Sequence, residues 1–232
     1  MPSPNPQWKP GDTVEAPPGK TIELDPTKIP AKEIYKLIIG SIVPRPIAFV
    51  STISAGGVTN LAPFSFFNGV SSNPPCVMIS ISNKEDGSKK DTLRNIEETK
   101  QFVVNSANEW LAEPLVHTAA SFPYGVDEMS VVGLTAEPSL KVKPPRVKES
   151  AFQMECELYK TVEIGDGSAG STTVIFGKIL FMHAHESVYK DGRILFSEYK
   201  AIGRLGGFSY GRVTETFDIP VPRVGSDGPS GG

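Results

Sequence analysis

Residues 43–95 read VPRPIAFVSTISAGGVTNLAPFSFFNGVSSNPPCVMISISNKEDGSKKDTLRN. Proline or glycine cuts this stretch into short apolar runs, the punctuation of strands and turns rather than of long helices. Residues 47–54 read as a strand, Ala55-Gly56-Gly57 turns it, and residues 58–62 return. Residues 76–82 make a third strand. Pro74-Pro75 precede it and suit only a strand start or an edge, because proline has no N–H for a ladder. A short helix from Asp91 or Thr92 to about residue 98 follows, with Leu93 and Ile96 turned inward.

Working outward, residues 102–105 form a strand, and Ser106 with Glu109 spells a capping box that opens a second helix, ending or kinking near Pro114. The clearest periodicity lies at 151–162. Phe152, Met154, Cys156 and Leu158 share one side and Gln153, Glu155 and Glu157 the other, the pattern of a half-buried strand. The GDGSAGS turn at 165–171 leads into a long strand at 172–185. On the N-terminal side, residues 31–39 read as a helix with Pro30 at its start, an Ile34/Leu37/Ile38 stripe and a stop at Gly40. At least six strands and two or three short helices, in this order, predict a mainly β chain. Its architecture is an antiparallel Greek-key β-barrel with helices at its ends.

Composition agrees. The chain has 232 residues with 22 Gly and 21 Pro, too many breakers for a helical bundle or coiled coil, and no Gly-X-Y period for collagen. Apolar residues make up 39%, enough for one core. A net charge of −3 provides no global field for nucleic acid or an anionic membrane. No apolar run approaches the roughly 18 residues of a membrane span. The Met1 end lacks a signal peptide's basic start and apolar stretch, and Cys76 and Cys156 are the only cysteines, so a cytoplasmic protein with reduced thiols is expected. Eight prolines in residues 1–30 predict an extended N-terminal arm. The domain is expected to occupy 31–219 and a flexible tail 220–232.

Three motifs fail on context. Gly165, Gly167 and Gly170 spell GxGxxG, but strand residues follow where a dinucleotide site needs a helix, so the loop reads as a hairpin. Gly207, Ser209 and Gly211 match a nucleophile elbow, yet His117, His183 and His185 all precede Ser209, the wrong order for that hydrolase triad. His183 and His185 share a strand face and could ligate a metal, but no third ligand is evident.

Two features of the opening stretch carry chemistry. Residues 60–68, NLAPFSFFN, combine flat rings, small polar groups and a proline-broken backbone with free N–H groups. Such a segment can line a planar heterocycle, and it also reads as a plain strand with core phenylalanines. Lys89-Lys90-Asp91-Thr92 stands at a helix start, where uncapped N–H groups, a hydroxyl and an ammonium can take a phosphate. The same residues also read as an Asp or Thr N-cap with solvated lysines. A ring pocket and a phosphate site separated by one strand have the span of flavin mononucleotide (FMN).

PRPIA, NLAPFSFFN, NPP and KDTLRN in this order, with RLGG and Tyr210 near the end, resemble the flavin reductase-like, FMN-binding split-barrel proteins over residues 35–215. The resemblance implies a homodimer of six-stranded split barrels with FMN near the subunit interface. It implies that Asn60, Ser65, Phe66, Phe67 and Asn68 touch the flavin ring, and that Arg45, Ser51 and Thr52 contact the ribityl chain or phosphate. Ser80, Ser82, Lys90 and Thr92 are the implied phosphate ligands. His183 and Phe208 are candidates for the other side of the ring, and Asp91 is expected to cap the helix. The implied reaction passes hydride from NADH or NADPH to flavin N5, with no catalytic side chain required. Flavin, nicotinamide and a redox protein or monooxygenase are the implied partners. The alternative is an FMN-binding electron carrier of the flavoredoxin kind, reduced by another protein.

Overall fold

Seven strands, one more than expected, make the main sheet of the computed structural model, which describes residues 2–222. They are β1 (Ala48–Ile53), β2 (Thr59–Phe64), β3 (Phe67–Ser72), β4 (Pro75–Ser82), β5 (Gln101–Ser106), β6 (Phe152–Ile164) and β7 (Thr172–Ala184). Every pairing is antiparallel, and the order is β2-β1-β5-β6-β7-β4-β3. The end strands β2 and β3 are consecutive in the chain, joined by a bend at Ser65–Phe66, yet do not pair with each other. The sheet is therefore open at that bend. The additional strand is β3, which begins at the end of the 60–68 segment and runs on through residues to which the sequence assigns no element; it holds to β4 through a bulge between Gly69 and Ser71 and leaves its far side exposed.

Helices α1 (Ala31–Ser41), α2 (Asp91–Thr99), α3 (Ala112–His117) and α4 (Glu128–Val131) complete the parts that matter for the site. Leu93 and Ile96 of α2 are fully buried, as their spacing predicts. Each contributes roughly 1.5–3 kcal/mol of burial. They join Val50, Ile79, Phe102 and Cys156 in one core. A second core holds Phe49 and Leu61 against Leu115 of α3 and Met129 of α4. Strand β1 thus sends Val50 to one core and Phe49 to the other, consistent with a strand covered on both faces. Where β7 passes Phe102, a Cβ on Gly177 would stand 2.2 Å from the ring's Cζ, so only glycine fits.

Three local expectations change. Ser106 ends β5 and bonds to Asn108 and Ser150 instead of capping a helix, and Asn108 precedes a single 3₁₀ turn, Glu109–Leu111. Asp91 is the first residue inside α2 rather than its cap; Lys90 takes the cap position and Asp91 pairs with Lys84 at 2.9 Å. On β6 the polar side is not the outer one. Glu155 is buried under residues 140–142 and Gln153 under the Val147 and Ser150 carbonyls, while Cys156 stays with Met154 and Leu158 on the side of the first core.

Pro30–Val213 form one contact unit; residues 2–29 and 214–222 cluster separately. In the latter unit Trp8, Val14 and Ile22 are exposed, and its order comes from turns such as Lys9 N–H to the Asp12 carboxylate at 2.8 Å. The end of the tail expected from residue 220 lies outside the described residues. No helix among those described is long and apolar enough to cross a membrane. Cys76 and Cys156 are free and buried, and burial pushes the Cys156 thiol well above the usual range.

Candidate functional site

A cavity of about 200 Å³ opens where β2 meets the start of α2. Asn60, Ala62 and Phe64 form one wall, Lys84, Lys90 and Thr92 a second, and residues 118–122 with Glu128 the third. No side chain caps α2, so its first-turn N–H groups are not claimed by a cap.

The three lysines nearby differ. Lys89 is held by the Glu97 carboxylate at 2.7 Å, and Lys84 by Asp91. Lys90 has no hydrogen-bond acceptor or acidic partner among the described residues; its ammonium stands 5.9 Å from the centre of the Phe64 ring. The side chain reaches solvent, yet the protein around its ammonium lowers its pKa, first by partial desolvation and then by repulsion from Lys84. Glu128 on the third wall is buried and accepts a hydrogen bond from Leu61 N–H at 2.9 Å. Burial raises its pKa, opposed by that hydrogen bond and reinforced by Asp91 and Asp127.

Behind the wall lies a polar knot. Asn60 donates to Thr52 Oγ1 at 3.3 Å and to Thr92 Oγ1 at 3.0 Å, and Asn95 donates to Thr52 Oγ1 at 3.0 Å. All four side chains are buried. An uncharged hydroxyl, a free ammonium and uncapped helix N–H groups are the donor set of a phosphate monoester.

The structure therefore brings together Asn60, Lys90 and Thr92 from the sequence candidates, with Thr52 one layer behind them. Ser65 and Phe66 form the bend beyond Phe64, and Phe66 C=O accepts from Ser80 N–H at 2.8 Å. Phe67 packs on the first core and lines a second cavity of about 260 Å³ with Arg45, Met154 and Tyr199; Asn68 is exposed and binds its neighbour's N–H. Ser51 is buried and donates to Pro145 C=O. The Ser82 hydroxyl bonds Thr172 at 3.0 Å on the neighbouring strand, and neither Ser80 nor Ser82 lines the 200 Å³ cavity.

Arg45 is almost fully buried. Its guanidinium donates to the Ile39 and Ile42 carbonyls at the end of α1, to Leu205 C=O and to Ser65 Oγ, joining the helix to the β2–β3 bend. Burial, then Arg204, lowers its pKa. His183 contacts the Glu155 carboxylate at 2.6 Å, and Phe208 is almost wholly exposed; neither lines the cavity. Sequence reasoning missed Lys84, Glu128 and residues 118–122. Lys84 stands in the same basic run as Lys90. The other two come from a segment with no motif, brought in by α3 and α4 packing on β2.

The open, antiparallel sheet with a cavity beside its split places the chain in the class of split-barrel, flavin reductase type folds. The flavin reductase like domain family matches residues 39–202, and the chain belongs to that family. A protein of Aquifex aeolicus (strain VF5), described only as uncharacterized, is 45% identical over 76% of this chain and 88% of its own length. The crystal structure of nitrilotriacetate monooxygenase component B from Bacillus cereus superposes with a TM-score of 0.84 at 35% identity, covering 87% of this chain and all of that one. The 2-nitrobenzoate 2-nitroreductase NbaA of Pseudomonas fluorescens superposes at 0.78 with 32% identity, over 87% and 96%.

Proposed function

We propose that this chain binds FMN and is an NAD(P)H-dependent flavin oxidoreductase. The observation that carries the reading is Lys90, a cation without an anionic partner, set beside Thr92 and the open start of α2. Lys90, Thr92 and the first-turn N–H groups hold the FMN phosphate, with Lys84 adding positive charge. The bend at Ser65–Phe66, together with Phe67 and Asn68, follows the flavin ring, and free backbone N–H groups there orient its polar edge. Arg45 fixes that bend through Ser65. When bound, FMN supplies the capacity to accept and pass on hydride; the protein binds, orients and shields it. Membership of the flavin reductase-like family and likeness to a monooxygenase component and a nitroreductase support an oxidoreductase. By the same likeness, a monooxygenase can consume the reduced flavin. We place the protein in the cytoplasm as a homodimer.

The test is direct. Protein loaded with FMN is mixed anaerobically with NADH or NADPH, and the visible absorption of the oxidised flavin is followed. Rapid bleaching supports the reductase. FMN that binds but is bleached only by an added redox protein identifies an electron carrier, and a protein that takes up no FMN overturns the assignment. For the phosphate site, Lys90→Ala with Thr92→Val weakens FMN much more than riboflavin. Equal loss for both refutes it.

A further inference from the structure

Thr92 is the only hydroxyl-bearing residue of α2's first turn on the cavity wall, and its partners set which way it faces. An amide N–H₂ can only donate. Because Asn60 Nδ2 donates to Thr92 Oγ1 at 3.0 Å, that oxygen is an acceptor toward the interior. The hydroxyl proton then has no acceptor among the described residues, and the cavity is where it can be given. Asn60 is fixed in turn by Thr52 Oγ1 at 3.3 Å, and Thr52 by Asn95 Nδ2 at 3.0 Å. Thr52 Oγ1 is thus the common acceptor of the Asn95 and Asn60 amides, and Asn60 bridges it to Thr92 by donating to both hydroxyls.

Asn95 sits in this chain at a cost. It is 1% exposed, and its Oδ1 is the one buried side-chain polar atom without a partner among the described residues. An apolar side chain of the same shape would leave no such atom. A residue kept for packing alone has no need of that amide.

We propose that Thr52, Asn60 and Asn95 are positioning residues that hold the Thr92 hydroxyl as a donor toward the ligand's phosphate. Thr52 and Asn95 act without touching the ligand. The inference rests on the phosphate assignment above and adds to it. It makes the pocket selective for an acceptor-only group, a fully ionised phosphate, over the hydroxyl end of riboflavin.

The experiment measures FMN and riboflavin affinities of the full chain by flavin fluorescence, with circular dichroism to check folding. Thr52→Val combined with Asn95→Leu removes the shared acceptor and the Asn95 donor together, so that Asn60 loses its anchor on Thr52 and keeps only its bond to Thr92. The expected result is about a tenfold loss of FMN affinity, the weight of one hydrogen bond to a charged group. Riboflavin affinity stays the same. Thr52→Ser, which keeps the hydroxyl, restores the wild-type ratio. Asn95→Leu alone gives about a threefold loss of FMN affinity without loss of stability, and decides the matter if the double variant does not fold. An unchanged FMN-to-riboflavin ratio in these variants, with Lys90→Ala still collapsing it, overturns the positioning role while the phosphate site stands. A ratio unmoved by Lys90→Ala overturns the phosphate assignment and this inference together.

Discussion

Glu155 and Lys90 are charges handled in opposite ways. Glu155 has no exposed surface, and its carboxylate takes the N–H groups of Leu140, Lys141 and Val142 and the His183 ring nitrogen, at 2.8, 2.5, 3.2 and 2.6 Å. Lys90 stands in an open cavity, with a like charge nearby and no acceptor. A charge saturated by its own protein locks structure: Glu155 pins residues 140–142 onto the sheet. A charge left unsaturated in a concave site adds nothing to the fold and is free to meet a ligand. The comparison therefore separates residues that hold the protein together from residues that hold something else.

The largest expected effect tests the first half. Glu155→Ala strands three backbone donors and His183, and should cost about 3–5 kcal/mol, the usual range when one partner of a buried charged cluster is removed. Urea denaturation measures it. The FMN-to-riboflavin ratio should stay as in the wild type, since Glu155 lies outside the cavity. The sign with pH follows from its pKa. Burial pushes it up, but the Leu140 N–H, His183 and Lys141 N–H outweigh burial and hold it below the ordinary glutamate range. Its contribution is complete above that range and is lost as pH falls through the lowered value.

Lys90→Ala tests the other half. FMN affinity should drop by about a hundredfold, the loss of one charge-assisted phosphate contact and its field. Stability should move by less than about 0.5 kcal/mol, as for a side chain with no bond to lose. A variant that unfolds easily yet binds FMN normally would erase the distinction between the two charges.

How far such a distinction can be read in sequence depends on the residue. The strands and α2 were legible because their apolar periodicity answers to one core and one period. Lys90 and Thr92 were legible because a basic run before an apolar helix marks a helix start. Glu155 reads from the sequence as lying on the polar side of a half-buried strand, since alternation shows only that a residue turns away from one core. It does not show that a distant loop covers the other face. Glu128 and residues 118–122 reach the cavity only through packing of α3 and α4, a long-range contact with no local pattern. Strand β3 was hidden for the opposite reason: its Asn, Gly and Ser are poor strand formers, and it pairs only because the Asn73-Pro74 turn returns the chain to β4.

The pH dependence of binding sharpens the contrast further. The Lys90 pKa lies below the usual lysine range, and a bound phosphate stabilises the ammonium. FMN affinity should therefore fall as pH rises through that lowered value, by at most about tenfold per pH unit. The phosphate is already doubly ionised there, its second pKa being about 6. Lys90→Arg, charged throughout, should hold its affinity across the same range. Titrations of both proteins with FMN between neutral and alkaline pH provide the measurement. A fall of equal size in both would place the titrating group elsewhere.

Glu128 is intermediate between the two extremes, buried like Glu155 but on the cavity wall like Lys90, and it predicts the smallest effect. Its pKa is raised, mainly by burial, so the folded protein holds a proton that the unfolded chain has released. Across the window from the ordinary glutamate range to the raised value, stability from this group falls as pH rises, and above the window the charged form carries its full desolvation cost. Glu128→Gln keeps an oxygen for the Leu61 N–H and removes the charge. Its melting temperature should exceed the wild type's by roughly 2 °C at neutral pH, with the difference vanishing below the glutamate range. FMN should bind about threefold more tightly, because a negative charge facing the phosphate is gone. A variant less stable at neutral pH would show that the Glu128 charge, like that of Glu155, is satisfied by the fold.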